Sequence, residues 1–293
     1  MEFKKNLLIL FTVLLSILIL ILCCLASTQT LMETPYAIIV GVNNYKDPDI
    51  PDLNFCIADA QDIMNTLLNS TMWSRENIIY LPDATKTDIE NAIENVKIKI
   101  VPDSLILFYF SGHGNLSPDG SRAYICPTDS FYASFTNDIE DDELERWLDG
   151  IPTNRKCVIL DTCFSGAFIK KPPPDLIIRT YLKKDQKITT ALTGTGFFVK
   201  LSKSGYVLLT ASDDNEASWE HRDLKNGVFT YYLDEGFNSP DEVDINTNQE
   251  ISAEENYLYS NPKVTEFVRK FMNNEQHPQI YDGYPRELTL TTY

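Results

Sequence analysis

Basic residues are scarce in this chain: 25 Lys and Arg stand against 42 Asp and Glu, for a net charge of -17. Phosphate binding relies on clustered Lys and Arg, which this sequence does not show as a face, so nucleic acid is not an expected partner. Cationic ligands suit it better. Histidine is scarcer still, with three in 293 residues, which narrows any imidazole chemistry to His113, His221 and His277. Internal repeats and low-complexity tracts are missing. The six cysteines do not form a disulfide framework: Cys23 and Cys24 lie in an apolar N-terminal run, and Cys126 and Cys157 inside strand-like runs. Only Cys56 and Cys163 sit at element boundaries, and strand cysteines mostly act as small hydrophobes. What is present suffices for one sizeable core, with 43% hydrophobic residues and 23% charged ones,.

The longest apolar run is N-terminal. Lys4 and Lys5 precede Leu7 to Ala26, 20 residues interrupted only by Thr12 and Ser16. About 20 apolar residues span a ~30 Å hydrocarbon core as a helix, whereas a signal-peptide core runs about 7 to 15. The length favours an uncleaved anchor over residues 1–30, with Lys4 and Lys5 cytoplasmic and the body exported. The expected location is therefore the cell membrane, single-pass, with an extracytoplasmic catalytic domain. Cys24-Leu25-Ala26 also resembles a small-residue cleavage site, and a cleaved segment would make the protein secreted.

Beyond it, residues 31–293 alternate strand-like and helix-like stretches. Near-continuous apolar strands at 36–42, 77–81, 104–110, 157–160 and 205–212 are separated by amphipathic patterns at 57–68, 86–97, 141–148 and 226–237. This predicts an α/β fold with a mainly parallel central sheet and helices on both faces. The segment 170–204 begins "KKPPPDLIIRTYLKKDQK", with a triple proline and six Lys or Arg residues over 170–187, and reads as an exposed basic linker.

In open α/β sheets, ligands collect beyond the carboxyl ends of the strands. Two such ends carry chemistry: "LILFYF" runs into "SGHG", placing His113 between glycines, and "CVIL" runs into "DTCFSG", placing Cys163 just past its strand. Parallel neighbours would bring both to one edge. A thiol of pKa about 8.5 needs a neighbouring imidazole to favour the thiolate and to protonate the departing amine. The N–H groups of Gly114 and Cys163 then suit an oxyanion hole. His221 and His277 have no such setting.

These motifs, with "AIIVGVNNY", "CIADA", "PTD", "DDEL", "LLTASDDNEASWE" and "GVFTYYLDEGF", resemble the caspase-like cysteine peptidases, in particular metacaspases and prokaryotic orthocaspases, over roughly Tyr36 to Leu290. The resemblance implies a caspase-hemoglobinase fold with His113 and Cys163 as the catalytic dyad. It also implies an S1 pocket lined by Cys56, Asp59, Ser111 and Asp161 that selects Arg or Lys, which fits the pairing of a carboxylate with guanidinium or ammonium. Protein or peptide substrates containing Arg or Lys follow, cleaved by a chain expected to act as a monomer. A catalytically silent, membrane-anchored binding module is the alternative. The basic linker becomes a candidate autoprocessing segment, with Arg179, Lys183 and Lys184 as sites.

No cofactor is required by this chemistry, although weak calcium binding is a possibility in two places. The family calcium site would draw on Asp129, Asp141 and Asp142, but Lys170 replaces a further aspartate there. The second is an EF-hand-like pattern inside an acidic insertion, 238–262: Asp244, Asn246, Asn248, Glu250 by its carbonyl, Ser252 and Glu255 occupy the ligand positions of the twelve-residue loop,. Gln249 stands where that loop has glycine.

Overall fold

The computed structural model describes residues 34–117, 122–132, 134–162, 176–178, 201, 203–213 and 216–293. The N-terminal apolar run, Cys163 and most of the 170–204 segment lie outside the described residues. Among the described residues no helix is long and apolar enough to cross a membrane.

Six strands form the central sheet: β1 (Tyr36–Gly41), β2 (Ile78–Pro82), β3 (Leu105–Ser111), β7 (Arg155–Asp161), β9 (Tyr206–Thr210) and β13 (Gln279–Asp282). Their order is β13-β9-β7-β3-β1-β2. All neighbours are parallel except β13, which runs antiparallel to β9. The apolar runs that signalled strands are buried on both faces because each face is covered. One face presents Ile38, Val40, Phe108, Phe110, Val158 and Leu160. These pack with Ile89, Ile93 and Val96 of α2 (Lys86–Lys97) and Leu144 and Leu148 of α3 (Asp141–Asp149). The other presents Ala37, Ile39, Leu107, Tyr109 and Ile159 to α1 (Cys56–Asn69), α4 (Val228–Phe237) and α6 (Ala253–Phe267). Period-2 alternation along each strand thus feeds two separate cores.

Helix starts follow local chemistry. Thr85 caps α2 with Asp88 reciprocating, and Ser252 with Glu255 does the same for α6,. A three-stranded sheet of β4 (Gly114–Leu116), β5 (Ala123–Ile125) and β6 (Ile139–Glu140) follows β3. A second combines β8 (Leu176–Ile178), β10 (Trp219–His221) and β11 (Asn226–Gly227). Strand β8 corrects the sequence expectation of a plain loop over the basic linker: its aliphatic triplet has high strand propensity, but it is flanked by prolines and lysines that dominate the composition.

The acidic insertion contains a short helix, α5 (Pro240–Val243), ahead of the 244–255 loop, and β12 (Glu250–Ser252), which pairs antiparallel with β14 (Thr289–Thr292). Gln249 holds φ at +68°, the left-handed geometry for which glycine is usual,.

Candidate active site

The β-sheet register brings three strand ends level. Gly41 pairs with Ser111 and Ser111 with Asp161, so β1, β3 and β7 finish at one edge. His113 follows Ser111 by two residues, and Cys163 follows Asp161 by two. The parallel register therefore starts the His113 and Cys163 segments from neighbouring strand ends. Cys163 itself is outside the described residues.

His113 is fully buried, and its ring is oriented by backbone. Nε2 lies 2.8 Å from the carbonyl oxygen of Pro51. A carbonyl only accepts, so Nε2 carries the proton and the basic lone pair of the neutral ring is on Nδ1. The loop between β1 and α1 supplies a second clamp. Tyr45 Oη accepts from the His113 N–H at 2.9 Å and donates to the Cys126 carbonyl at 3.2 Å, while its ring lies 4.9 Å from the imidazole. Gly112 leaves room for this packing, since a Cβ there would come within 2.8 Å of the Phe110 ring. Gly114 opens β4 opposite Ile125. Tyr45→Phe would leave the buried His113 N–H and Cys126 carbonyl without this hydroxyl. Chemical denaturation should show a loss of about 1 to 3 kcal/mol.

The four expected pocket residues come together, and a fifth joins them. Asp59, in the first turn of α1, accepts from Ser111 Oγ at 2.8 Å, from the Gly227 N–H at 2.8 Å and from Asn226 Nδ2 at 3.1 Å. Asp161 accepts from Ser218 Oγ and Thr230 Oγ1, both at 2.6 Å, and from the Thr230 N–H at 3.2 Å. Glu220, on β10, accepts from the N–H groups of Phe55 at 3.0 Å and Asn54 at 3.2 Å, and its Oε1 lies 3.5 Å from Cys56 Sγ. Asp59, Asp161 and Glu220 are 0%, 0% and 1% exposed.

Glu220 was missed in the sequence as a pocket residue, although a strand places Ser218 and Glu220 on one face by alternation. The signal was an acid between Trp219 and His221 in an otherwise buried stretch. Gln276 was equally unreadable. Fully buried, its side chain donates to the Ala211 carbonyl at 2.9 Å and accepts from the Trp219 N–H at 3.3 Å. It thereby ties together both ends of the turn that presents Ser218.

The described cysteines, Cys56, Cys126 and Cys157, are all buried. Burial, reinforced by the Glu254 carboxylate, pushes the Cys157 thiol well up, away from thiolate chemistry,.

The calcium expectations are differently placed. Glu140, Asp141 and Asp142 bring ligand oxygens within 4.8 Å of one another, while Asp129 Oδ1 accepts from the Lys86 N–H at the start of α2. Lys170 lies outside the described residues. In the 244–255 loop, Asp244 accepts from the Asn248 and Gln249 N–H groups and from Tyr293 Oη. Asn246 Oδ1 also accepts from the Asn248 N–H, and Asn248 Oδ1 from that of Glu250. Glu255 accepts from the Ile245 and Ser252 N–H groups and Ser252 Oγ. Both loop carboxylates thus serve as turn and helix-cap acceptors, bonds with which a cation would compete.

Comparison with known proteins agrees with this fold. A family model described as the caspase domain matches residues 34–289. Metacaspase-1A of Aspergillus oryzae is 26% identical over 211 residues, 59% of this chain and 49% of the relative. Metacaspase-1A of Aspergillus terreus is 29% identical over 154 residues, 46% of this chain and 37% of the relative. The chain spans about half the length, or less, of these curated relatives. Among solved structures, protein GSU0716 from Geobacter sulfurreducens superposes with a TM-score of 0.59 at 19% identity, covering 88% of this chain and 99% of that one. Caspase-1 from Spodoptera frugiperda gives 0.57 at 13% identity, covering 89% and 91%. These two likenesses concern the fold. With the family model matching well over half of its length, this chain belongs to the caspase-domain family, the caspase-like cysteine peptidases.

Proposed function

We propose that the protein is a cysteine endopeptidase that cleaves after Arg or Lys, with Cys163 as nucleophile and His113 as general base and acid. The observation that carries the specificity is the convergence of the buried Asp59, Asp161 and Glu220 beside the strand ends that lead to His113 and Cys163. Arginine suits such a pocket best, because its planar fork offers several donors to carboxylates at once.

In the proposed reaction, Nδ1 of His113 takes the thiol proton and the Cys163 sulfur attacks the carbonyl carbon of the basic residue. The N–H groups of Gly114 and Cys163 receive the oxyanion, a role in which losing one donor typically costs about 2.7 to 4 kcal/mol. The imidazolium then protonates the departing amine as the C–N bond breaks. Water, deprotonated by the same ring, releases the acyl group. The Pro51 carbonyl holds the ring in the tautomer these steps need.

Matched peptide reporters ending in Arg and in Asp test the pocket on purified protein. Hydrolysis of the Arg peptide should dominate; preference for the Asp peptide would overturn the assignment. The membrane anchor at Leu7–Ala26 is proposed from the length of that run and the flanking Lys4 and Lys5,.

A further inference from the structure

His277 takes no part in the proposed chemistry, yet its ring and backbone hold one carboxylate between them. Nδ1 lies 2.5 Å from Glu216 Oε1, and the His277 N–H donates to Glu216 Oε2 at 2.6 Å. A carboxylate accepts, so Nδ1 carries the proton. Both oxygens of Glu216 are therefore engaged by a single residue 61 positions away. Oε2 also accepts from the Asp213 N–H at 3.4 Å, and the Glu216 carbonyl accepts from Ser212 Oγ at 3.2 Å.

The stretch that carries His277 is fastened in turn. From α6, Thr265 Oγ1 donates to the Gln276 carbonyl at 3.0 Å and Tyr257 Oη to the Pro278 carbonyl at 3.2 Å. Arg269, in the helical turn Val268–Met272 that follows α6, pairs with Glu275 at 3.3 Å. His277 Nε2 lies 3.5 Å from that same carboxylate. Since β13 begins at Gln279, residues 275–278 are held by a helix and run directly into the central sheet.

What they hold leads to the pocket acids. Glu216, Ser218 and Glu220 follow one another at intervals of two: Ser218 Oγ donates to Asp161 at 2.6 Å, and Glu220 accepts from the Asn54 and Phe55 N–H groups. Gln276 grips the same stretch at the Trp219 N–H. Residues 216–218 precede β10 and belong to no strand, so side chains from outside set their position.

We propose that His277 is a positioning residue of the arginine pocket: by holding Glu216 it fixes the stretch that delivers Ser218 to Asp161 and Glu220 to the Asn54 and Phe55 backbone. This rests on the peptidase reading above and adds to it a residue that acts on the pocket only through Glu216. A pocket whose acids are already in place binds a guanidinium without first ordering the chain, and removing the brace adds that ordering to every binding event. The consequence falls on KM.

Substitutions at His277 in the full chain test the proposal. His277→Asn keeps an N–H one bond beyond Cγ, where Nδ1 stands, whereas His277→Leu fills similar space without a donor. The Leu variant should raise KM for an Arg-ended reporter about three- to tenfold, the range for one hydrogen bond to a carboxylate from a side chain 40% exposed,. Its kcat should stay within twofold of the parent, and the Asn variant should stay within twofold in both. Glu216→Ala should raise KM likewise, and adding it to His277→Leu should raise KM no further, because the two side chains act as a unit. Hydrogen exchange supplies a readout that needs no catalysis: the amides of 216–220 should exchange about tenfold faster in the Leu variant and at the parental rate in the Asn variant. A Leu variant with KM within twofold of the parent, or an Asn variant as impaired as the Leu one, would overturn the positioning role and leave the peptidase reading standing. If the parent hydrolyses no Arg reporter, the peptidase reading falls, and exchange over 216–220 decides the brace by itself.

Discussion

His113→Ala is expected to lower kcat/KM for an arginine-ended peptide by roughly 10²- to 10⁴-fold, the usual contribution of a positioned general acid and base. The loss should fall mainly on kcat, because the imidazole works on the thiol and the leaving amine and the pocket acids are left in place. An alkylating peptide ending in an arginine ketone supplies an independent readout: it should label Cys163 in the parent and fail on the variant. The imidazole is buried, so its removal also opens a cavity, and the unfolding midpoint must be followed alongside the kinetics. A folded variant that retains activity within twofold of the parent would sink the dyad.

Glu220→Gln should have the second largest effect. The substitution keeps the size of the side chain and removes its charge, so one amide oxygen is left where two carboxylate oxygens accept from the Asn54 and Phe55 N–H groups. Hydrogen bonds to charged groups contribute about 1.5 to 3 kcal/mol. A loss of that order for a bound guanidinium is roughly 10- to 150-fold, at 1.4 kcal/mol per decade. It should appear in KM for Arg and Lys peptides, with kcat almost unchanged, since Glu220 is assigned to binding the basic side chain and not to the bond-breaking steps. An unaltered KM for the Arg peptide would show that Asp59 and Asp161 alone form the pocket.

Most secondary structure could be read directly from the residues. The helix predicted over 86–97 is observed at Lys86–Lys97, because Thr85 and Asp88 form a capping box and an apolar stripe of Ile89, Ile93 and Val96 repeats at helical spacing. The strand predicted over 104–110 is observed at Leu105–Ser111, a run whose polar side-chain groups are the Tyr109 hydroxyl and the closing Ser111. Strand β8 was hidden for the opposite reason. Three aliphatic residues between prolines and lysines carry too little local signal, and what makes them a strand is an edge supplied by β10, 41 positions away for the pair Ile178–Trp219.

The site divides in the same way. Position next to a strand end was enough to nominate His113 and Cys163, since a parallel sheet must deliver its carboxyl ends to one edge, and the family resemblance added Cys56, Asp59, Ser111 and Asp161. Glu220, the Pro51 carbonyl and Gln276 carry no such mark: each acts on a group 57 to 166 residues away in the chain or fastens a turn from outside it. Local patterns report what a segment prefers and which face it hides, so element types, the alternation of layers and the strand-end motifs were decided there. Which imidazole nitrogen is anchored and how many carboxylates meet depend on contacts between remote segments, and such contacts exist only once the sheet has closed.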